Sequence, residues 1–395
     1  MRRLLVLSST YPKQEGDNVP SFVYELNVRL AKDFELSVLV PHFSGGRLIE
    51  PSASGVIYRY VYAPGNMEKL AYGGGIFANL KGKKWLYALV LPFVAMQFLW
   101  ALAISLSKKI DVIHAHWIFP QGLVAVLIKL ITLGRVRVVC TSHGGDLFGL
   151  KGRLLNRLLK WVVSQCDVLT VVSSAMEREC EIRGYRPGAI SVIPMGVDLK
   201  SGFNKGITPG EERKGFLFVG RFVEKKGVVF LIEAMKILRD SGREVDLTMA
   251  GSGPLLDVCK TLVREYGLQN QVIFLGAVNK AQLPELYAQK AVCIVPSIVD
   301  SRGDQEGLGL VIVEALGSGC VVMASDLPAI RDVIDNGRNG ILFEPENPVA
   351  IADAVLKLSS DEPLRKRLAS SARASVLEKF DWENIAERYR LVIDA

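Results

Sequence analysis

The chain has no Cys-x-x-Cys pair, no Asp-x-Asp, and no Gly-x-Gly-x-x-Gly behind its first apolar run. Each absence removes a class of protein. The six cysteines at 140, 166, 180, 259, 293 and 320 are scattered. That pattern fits small buried hydrophobes of a reduced, cytoplasmic protein and excludes a disulfide frame or a zinc site of paired thiols. Without Asp-x-Asp, nothing signals a divalent ion bridging a diphosphate. Where a dinucleotide fingerprint would follow the first strand the sequence reads SSTYPKQEGD, which sets hydride transfer aside. Zinc-finger spacing, a helix-turn-helix signature and aromatic-interleaved basic motifs are also missing, so nucleic acid is not an expected partner. The opening MRRLLVLSST has an apolar run too short for a signal peptide and breaks at Thr10-Tyr11-Pro12, which predicts a first β-strand.

What is present is apolar mass and an uneven charge. At 395 residues, 49% of them hydrophobic, the chain exceeds what one core usually serves. Two domains are expected, over 1–200 and 214–378, joined by the polar stretch 198–215 and followed by a last helix over 380–395. Residues 1–200 hold 24 lysines and arginines against 14 acids, leaving 24 against 27 in the rest. The basic half points to anionic membrane or phosphorylated ligands.

Apolar runs read as buried parallel strands over 2–9, 36–40, 111–117, 136–143 and 167–173. The rhythm restarts at 215–221 and continues through 245–251, 271–276, 291–297 and 320–325, with helical patterns between, such as 121–131 and 152–164. The architecture this predicts is α/β, two Rossmann-like doubly wound domains facing a central cleft, with ligands at the C-terminal ends of the strands. One segment departs from the rhythm. Trp85–Ser107 carries no charge and is flanked by Lys83, Lys84, Lys108 and Lys109. It is long enough to span a bilayer, but a span would part the first strands from DVIHAHW at 111–117. A helix with one face on the sheet and one at an anionic membrane surface is the expectation; burial in a core or dimer interface is the alternative.

Residues 306–322, EGLGLVIVEALGSGCVV, place Glu306 and Glu314 eight apart in a run of glycine and aliphatic side chains. Carboxylates in such company need partners. Glu306 falls just ahead of a predicted helix N-terminus and Glu314 in its second turn. Gly307 and Gly309 leave the terminal N–H groups open to an anion. A ligand that is part phosphate and part polyol suits this site; the alternative is an acidic pair that merely favours a helix N-terminus. VGRFVEKKG at 219–227 adds Arg221 at a strand end and Lys226 at the next helix start, two fixed cations for a diphosphate leaving group. In TSHGGDLFG at 141–149, His143 precedes two glycines at a strand end, where it can face a cleft and bond a sugar hydroxyl or a leaving phosphate. His114 and His116 share one face of another strand end, without a carboxylate or third histidine beside them, so a metal ranks low.

These motifs together resemble glycosyltransferase family 4, the retaining nucleotide-sugar transferases of the GT-B fold. The resemblance covers nearly the whole chain: E-x7-E (Glu306, Glu314), G-R-x4-K-G (Arg221, Lys226, Gly227), GSGP at 251–254, SHGGD at 142–146, PMGVD at 194–198 and FDWENIAERY at 380–389. It implies that Glu306 contacts the donor sugar and Glu314 the ribose. Gly307, Leu308, Gly309 and Leu310 would line sugar and phosphate, Arg221 and Lys226 would hold the departing diphosphate, and His143 would lie by the reaction centre. Family members often carry a Gly-Gly loop after the first strand; here only Gly16 stands in YPKQEGDNVPSF, and it takes that role. His114, His116 and Asp146 are set on the acceptor side. The closing helix would return to the first domain.

The expected activity is transfer of a sugar from a nucleotide diphosphate to a glycan or lipid-linked acceptor at the inner, cytoplasmic face of the membrane, in polysaccharide, lipopolysaccharide or glycolipid assembly. No metal and no cofactor are expected, the nucleotide-sugar being a co-substrate. An epimerase or phosphorylase of the same fold, and a non-catalytic sugar-nucleotide binder, are the competing readings. Loss of Glu306, Arg221 or Lys226 would mark the last, and all three are present.

Overall fold

The computed structural model describes residues 1–13, 21–72, 75–150, 152–203 and 213–395. The chain forms two compact units. The first holds Met1–Val172, Met176–Gly196 and Ile385–Ala395; the second holds Ser173–Ala175 and Val197–Asn384.

The first unit is built on eight strands: β1 (Arg2–Leu7), β2 (Phe34–Pro41), β3 (Ile49–Ser52), β4 (Gly55–Tyr60), β5 (Val112–His116), β6 (Arg137–Ser142), β7 (Val168–Val171) and β8 (Ala189–Val192). Their order is β3-β4-β2-β1-β5-β6-β7-β8, parallel throughout except for the β3–β4 hairpin. Leu4 to Leu7 and Val112 to His116 are buried without a break, because helices cover both faces of a parallel sheet and leave no solvent side to alternate with. The second unit has six parallel strands: β9 (Phe216–Val219), β10 (Leu247–Ala250), β11 (Val272–Gly276), β12 (Val292–Val295), β13 (Val321–Ser325) and β14 (Gly340–Phe343). Their order is β11-β10-β9-β12-β13-β14. In each sheet the winding reverses beside the first strand, between β1 and β5 and between β9 and β12. Loops leave such a point in opposite directions and open a crevice at the carboxyl ends of the strands.

The ten strands expected from apolar runs are all present, nine of them shortened and β2 extended by two residues at its start and one at its end. Four more were not expected. β3, β4 and β8 lie at or next to a sheet edge and are only partly buried, so their sequences carry no continuous apolar run. β14 has just four residues behind a turn. The apolar stretch 85–107 is a helix: a 3-10 lead-in over Lys84–Leu89, then an α-helix over Val90–Ser107. One stripe of it, Phe93, Gln97, Ala101, Ile104 and Ser105, is buried. That stripe packs on β1, β2 and β4 and on the helix Leu123–Ile131, with the Phe93 ring 5.3 Å from that of Tyr60 and 5.0 Å from that of Tyr62.

Glycine sets the spacing at the carboxyl ends of the second sheet. Gly251, after β10, sits at φ +141, and a Cβ there would lie 1.8 Å from the Gly220 carbonyl oxygen after β9. Gly227 sits at φ +62, and its Cβ would lie 1.8 Å from the carbonyl oxygen of Pro296 after β12. Backbone touches backbone at both places, and no side chain fits. Gly251→Ala is therefore expected to destabilise the second unit by at least about 2 kcal/mol. Calorimetry should show its melting fall by roughly 4–8 °C; an unchanged transition would contradict the close approach.

Candidate functional site

In the second unit the chain leaves β9 through Gly220 and Arg221, makes a 3-10 turn over Glu224–Lys226, and enters the helix Val228–Asp240 through Gly227. The loop after β12 runs from Pro296 to Gly309, which caps the helix Leu310–Gly317 at φ +83. The two loops are fastened to one another. The Ile298 N–H donates to the Lys225 carbonyl at 2.9 Å, Ser301 donates its N–H and hydroxyl to the Glu224 carboxylate at 2.8 and 3.0 Å, and Lys225 pairs with Asp304 at 3.3 Å. At the far end of this seam Lys226 Nζ lies 2.9 Å from Glu306 Oε1, with little of either side chain exposed. Burial opposes ionisation of Glu306, but Lys226 and then Lys225 outweigh it and hold the carboxyl below its ordinary range.

Glu314 is treated differently. It projects from the second turn of its helix and accepts a hydrogen bond from the Tyr287 hydroxyl at 3.1 Å. Burial dominates, and the Tyr287 bond and the more distant Lys280 and Lys226 offset it only in part, so its pKa is pushed up to about 7. The two glutamates therefore differ in character, one a fixed anion on a lysine and the other poised near neutrality. Between them, the Leu308 side chain is buried and only its backbone can face a ligand, as can that of Gly307, Gly309 and Leu310. Arg221 is exposed and makes no ion pair among the described residues. Thus Glu306 and Lys226 meet between the loops that leave β9 and β12, with Glu314 in the second turn of the helix that follows and Arg221 exposed just after β9.

In the first unit a histidine cluster occupies the ends of β5 and β6. His114 Nε2 is 2.7 Å from the Thr141 hydroxyl, which is 2.6 Å from that of Thr170. His116 Nδ1 is 3.0 Å from His143 Nε2, and the two rings stack at 5.2 Å. Burial pushes His114 and His143 down to about 3 and His116 well below its ordinary value, so all three imidazoles are neutral at physiological pH. His143 is the partly exposed member, framed by Phe22 at 4.6 Å and Trp117 at 5.0 Å.

His114, His116 and Asp146, expected on the acceptor side, are buried side chains. None of the three exposes more than 1% of its surface. His114 and His116 are wedged between strand ends, with the Tyr389 ring 5.4 Å from His114. Asp146 accepts from the Ile118 N–H at 2.6 Å and the Ser142 hydroxyl at 2.7 Å, which fastens the turn after β5 to the end of β6. His116 is in contact with His143, and Asp146 is bonded to the turn after β5. Gly16 lies outside the described residues. Among the described residues no group of three or more histidine, cysteine or acidic side chains has the arrangement to hold a metal ion.

Sequence reasoning missed Tyr287, Glu224 and Asp304, which act only through contacts across the fold. It also missed Trp117, whose φ of +79 is rare for a side-chain-bearing residue and turns the chain sharply beside His143.

Two family patterns match the chain, one described as Glycosyltransferase Family 4 over residues 19–201 and one as Glycosyl transferases group 1 over 203–375. An uncharacterized glycosyltransferase of Methanocaldococcus jannaschii is 30% identical over 311 residues, 75% of this chain and 78% of that protein. A GDP-mannose-dependent alpha-(1-6)-phosphatidylinositol monomannoside mannosyltransferase of Mycobacterium tuberculosis is 24% identical over 401 residues, 98% of this chain and 97% of that one. Among solved structures, Anabaena HepE in complex with UDP-glucose superposes with a TM-score of 0.75 at 18% identity, covering 100% of both chains.

The raised Glu314 pKa has a consequence for stability. The folded protein holds this proton to about pH 7 whereas the unfolded chain releases it near 4.5, so Glu314 withdraws stability as pH rises through that window. Denaturant unfolding at pH 5 and pH 8 should show wild type losing stability relative to Glu314→Gln on going to pH 8. Parallel behaviour of the two proteins would contradict it.

Proposed function

The chain belongs to glycosyltransferase family 4 and is a glycosyltransferase of the GT-B fold, and we propose that it moves a sugar from a nucleoside diphosphate to an acceptor hydroxyl with retention of configuration. One observation carries the proposal. The Lys226–Glu306 pair sits at the switch point between β9 and β12, beside the N-terminus of the helix Leu310–Gly317. Lys226, Arg221 and that N-terminus stabilise the diphosphate as the bond from sugar C1 to phosphate oxygen breaks and the electron pair leaves with the phosphate. Glu306, kept ionised, accepts from the donor sugar hydroxyls, and Glu314 from the ribose. The acceptor oxygen forms its bond to C1 on the face the diphosphate vacates, and its proton passes to the departing phosphate oxygen. His143, neutral, hydrogen-bonds the sugar. With these cations as the charge carriers, the transfer requires no metal. HepE, a protein of the same fold, is known with UDP-glucose bound, which supports a nucleotide-sugar donor.

The acceptor is a glycan or lipid-linked molecule at the cytoplasmic face of the membrane, in polysaccharide or glycolipid assembly. Support comes from the helix over Lys84–Ser107, of whose apolar window 33% is buried. Leu91, Leu99 and Leu106 stand out from it. Leu130 and Ile131 on the packed helix Leu123–Ile131, then Leu154 and Trp161 on Arg153–Gln165, extend the apolar face. Residues 69–166 contain 13 lysines and arginines against two acids, Asp111, which is paired with Arg3, and the buried Asp146. Apolar surface in a basic field suits anionic headgroups. The relative that acts on a phosphatidylinositol mannoside is consistent with a lipid acceptor. All six cysteines are free and buried, in keeping with a reducing compartment.

Glu306→Gln is expected to lower donor turnover by about 10²–10³-fold at temperatures where the variant is folded, with a lowered but still cooperative melting transition because Lys226 loses its counter-charge, and wild-type turnover is expected to survive EDTA. A strict requirement for a divalent ion, or a fully active Glu306→Gln, would overturn the mechanism. The protein should float with phosphatidylglycerol vesicles and not with phosphatidylcholine vesicles; equal recovery in both would remove the membrane assignment.

A further inference from the structure

Glu314 has a partner that the transfer chemistry does not use. The Tyr287 hydroxyl donates to Glu314 Oε2 at 3.1 Å, while Oε1 accepts no hydrogen bond from the described residues and is not sealed in the interior. Tyr287 is wholly buried, whereas Glu314 keeps part of its surface open. One carboxylate oxygen is therefore committed to the fold, and the other is left to a ligand.

The phenol is fixed from several sides. The 3-10 turn Lys280–Gln282 is closed by a capping box, in which the Asn279 N–H donates to Gln282 Oε1 at 3.2 Å, and Pro284 opens the helix Leu283–Gln289. Pro284 and Tyr287, three apart, share the buried face of that helix. The Tyr287 carbonyl accepts from the Cys320 thiol at 2.9 Å, and the Phe203 ring lies 6.1 Å from that of Tyr287. A side chain already held in this way loses no further freedom when a ligand binds.

The other groups facing Glu314 act differently. Lys280 from the turn and Lys226 from the loop after β9 act on it through charge. Burial pushes the thiols of Cys293 on β12 and Cys320 upward, Cys320 to about 12, so both stay neutral. β13 carries no titratable side chain, and the helix Glu362–Phe380, packed on the Glu314 helix, brings Arg373, which donates to the Gly317 carbonyl. Burial also pushes Tyr287 well above its ordinary range, so it remains a donor in alkaline solution. An ionised carboxylate accepts from the phenol on one oxygen and from a ribose hydroxyl on the other, whereas a protonated one offers a donor of its own and loses a match. A ribose presenting hydroxyl donors selects the anion.

We propose that Tyr287 is a positioning residue of the nucleotide site, acting through Glu314: its hydroxyl turns the carboxylate so that Oε1 meets the ribose and favours the anionic form, and nucleotide binding expels the Glu314 proton to solvent. The inference rests on the ribose role given to Glu314 and names the residue that governs it.

The test is calorimetric titration of the full chain with UDP and with GDP at pH 6, 7, 8 and 9. The proteins are wild type, Tyr287→Phe, Glu314→Gln and the double variant. The terminal phosphate of either nucleotide titrates near about pH 6 in every case, so each affinity is read relative to Glu314→Gln, which has no carboxyl to ionise there. For the nucleotide that binds, this ratio should rise about tenfold in wild type between pH 6 and pH 8 and then level off. Tyr287→Phe removes a bond that favours the anion, so its rise should come at higher pH. It should bind about 3–10-fold more weakly than wild type at pH 7 and equally at pH 9. In the Glu314→Gln background the same change should have no effect. A Tyr287→Phe deficit that persists at pH 9 or survives in the Glu314→Gln background is what a merely structural tyrosine gives, and it would overturn the inference. A wild-type ratio that does not change with pH would do the same. In each of those cases nucleotide still binds and the transferase reading stands; if neither nucleotide binds wild type at any pH, both fall.

Discussion

The second unit depends on one contact, the ion pair between Lys226 and Glu306. The two residues come from loops that leave neighbouring strands, and they meet only because Gly227 lets those loops touch at the backbone. Burial raises the cost of charge on Glu306, and Lys226 offsets it. Removing either partner leaves a poorly solvated charge without its counterpart, which is usually more damaging than never having placed the pair. The same arrangement fixes a cation next to a helix N-terminus and a carboxylate next to both, a donor and acceptor set that neither loop could present alone.

The two sheets divide the work by charge and by polarity. The second unit concentrates fixed charge at its β9/β12 crevice. The first unit does the opposite at β1/β5, where burial keeps three imidazoles neutral and aromatic rings surround the exposed one. A neutral imidazole can hydrogen-bond a hydroxyl without adding positive charge, which suits the sugar-binding role proposed for His143. The basic charge of the first unit is instead spread outward, around the helix over Lys84–Ser107, where it meets solvent or a surface.

Much of this was legible in the sequence because buried parallel strands are written as unbroken apolar runs, and charges inside such runs are conspicuous. Glu306 and Glu314 stood out for that reason, and the glycines around them announced unusual backbone. Edge strands left no such mark: Pro51 and the alternating burial of β3 resemble a loop. Nor did the partners of the glutamates, since Tyr287 and Lys225 reach them from elements distant in the chain. Side-chain parity correctly put His114 and His116 on one face, with rings 4.3 Å apart. Parity cannot tell whether a strand end opens outward, however, and here both rings are buried beside the sharp turn at Trp117. The burial of Asp146 was hidden for a similar reason, since its bond from the Ile118 N–H is a contact between two loops.

The central claim is that the crevice beside β9 and β12 binds a nucleoside diphosphate through Arg221 and Lys226. The most direct measurement is the thermal melting of wild type and Arg221→Ala with UDP, GDP, ADP and CMP. A ligand at 100 times its dissociation constant adds about 2.7 kcal/mol of stability, enough to move the transition visibly. The account predicts that one diphosphate raises the melting temperature of wild type and does so far less in Arg221→Ala. No shift with any nucleotide, or the same shift in both proteins, would contradict it.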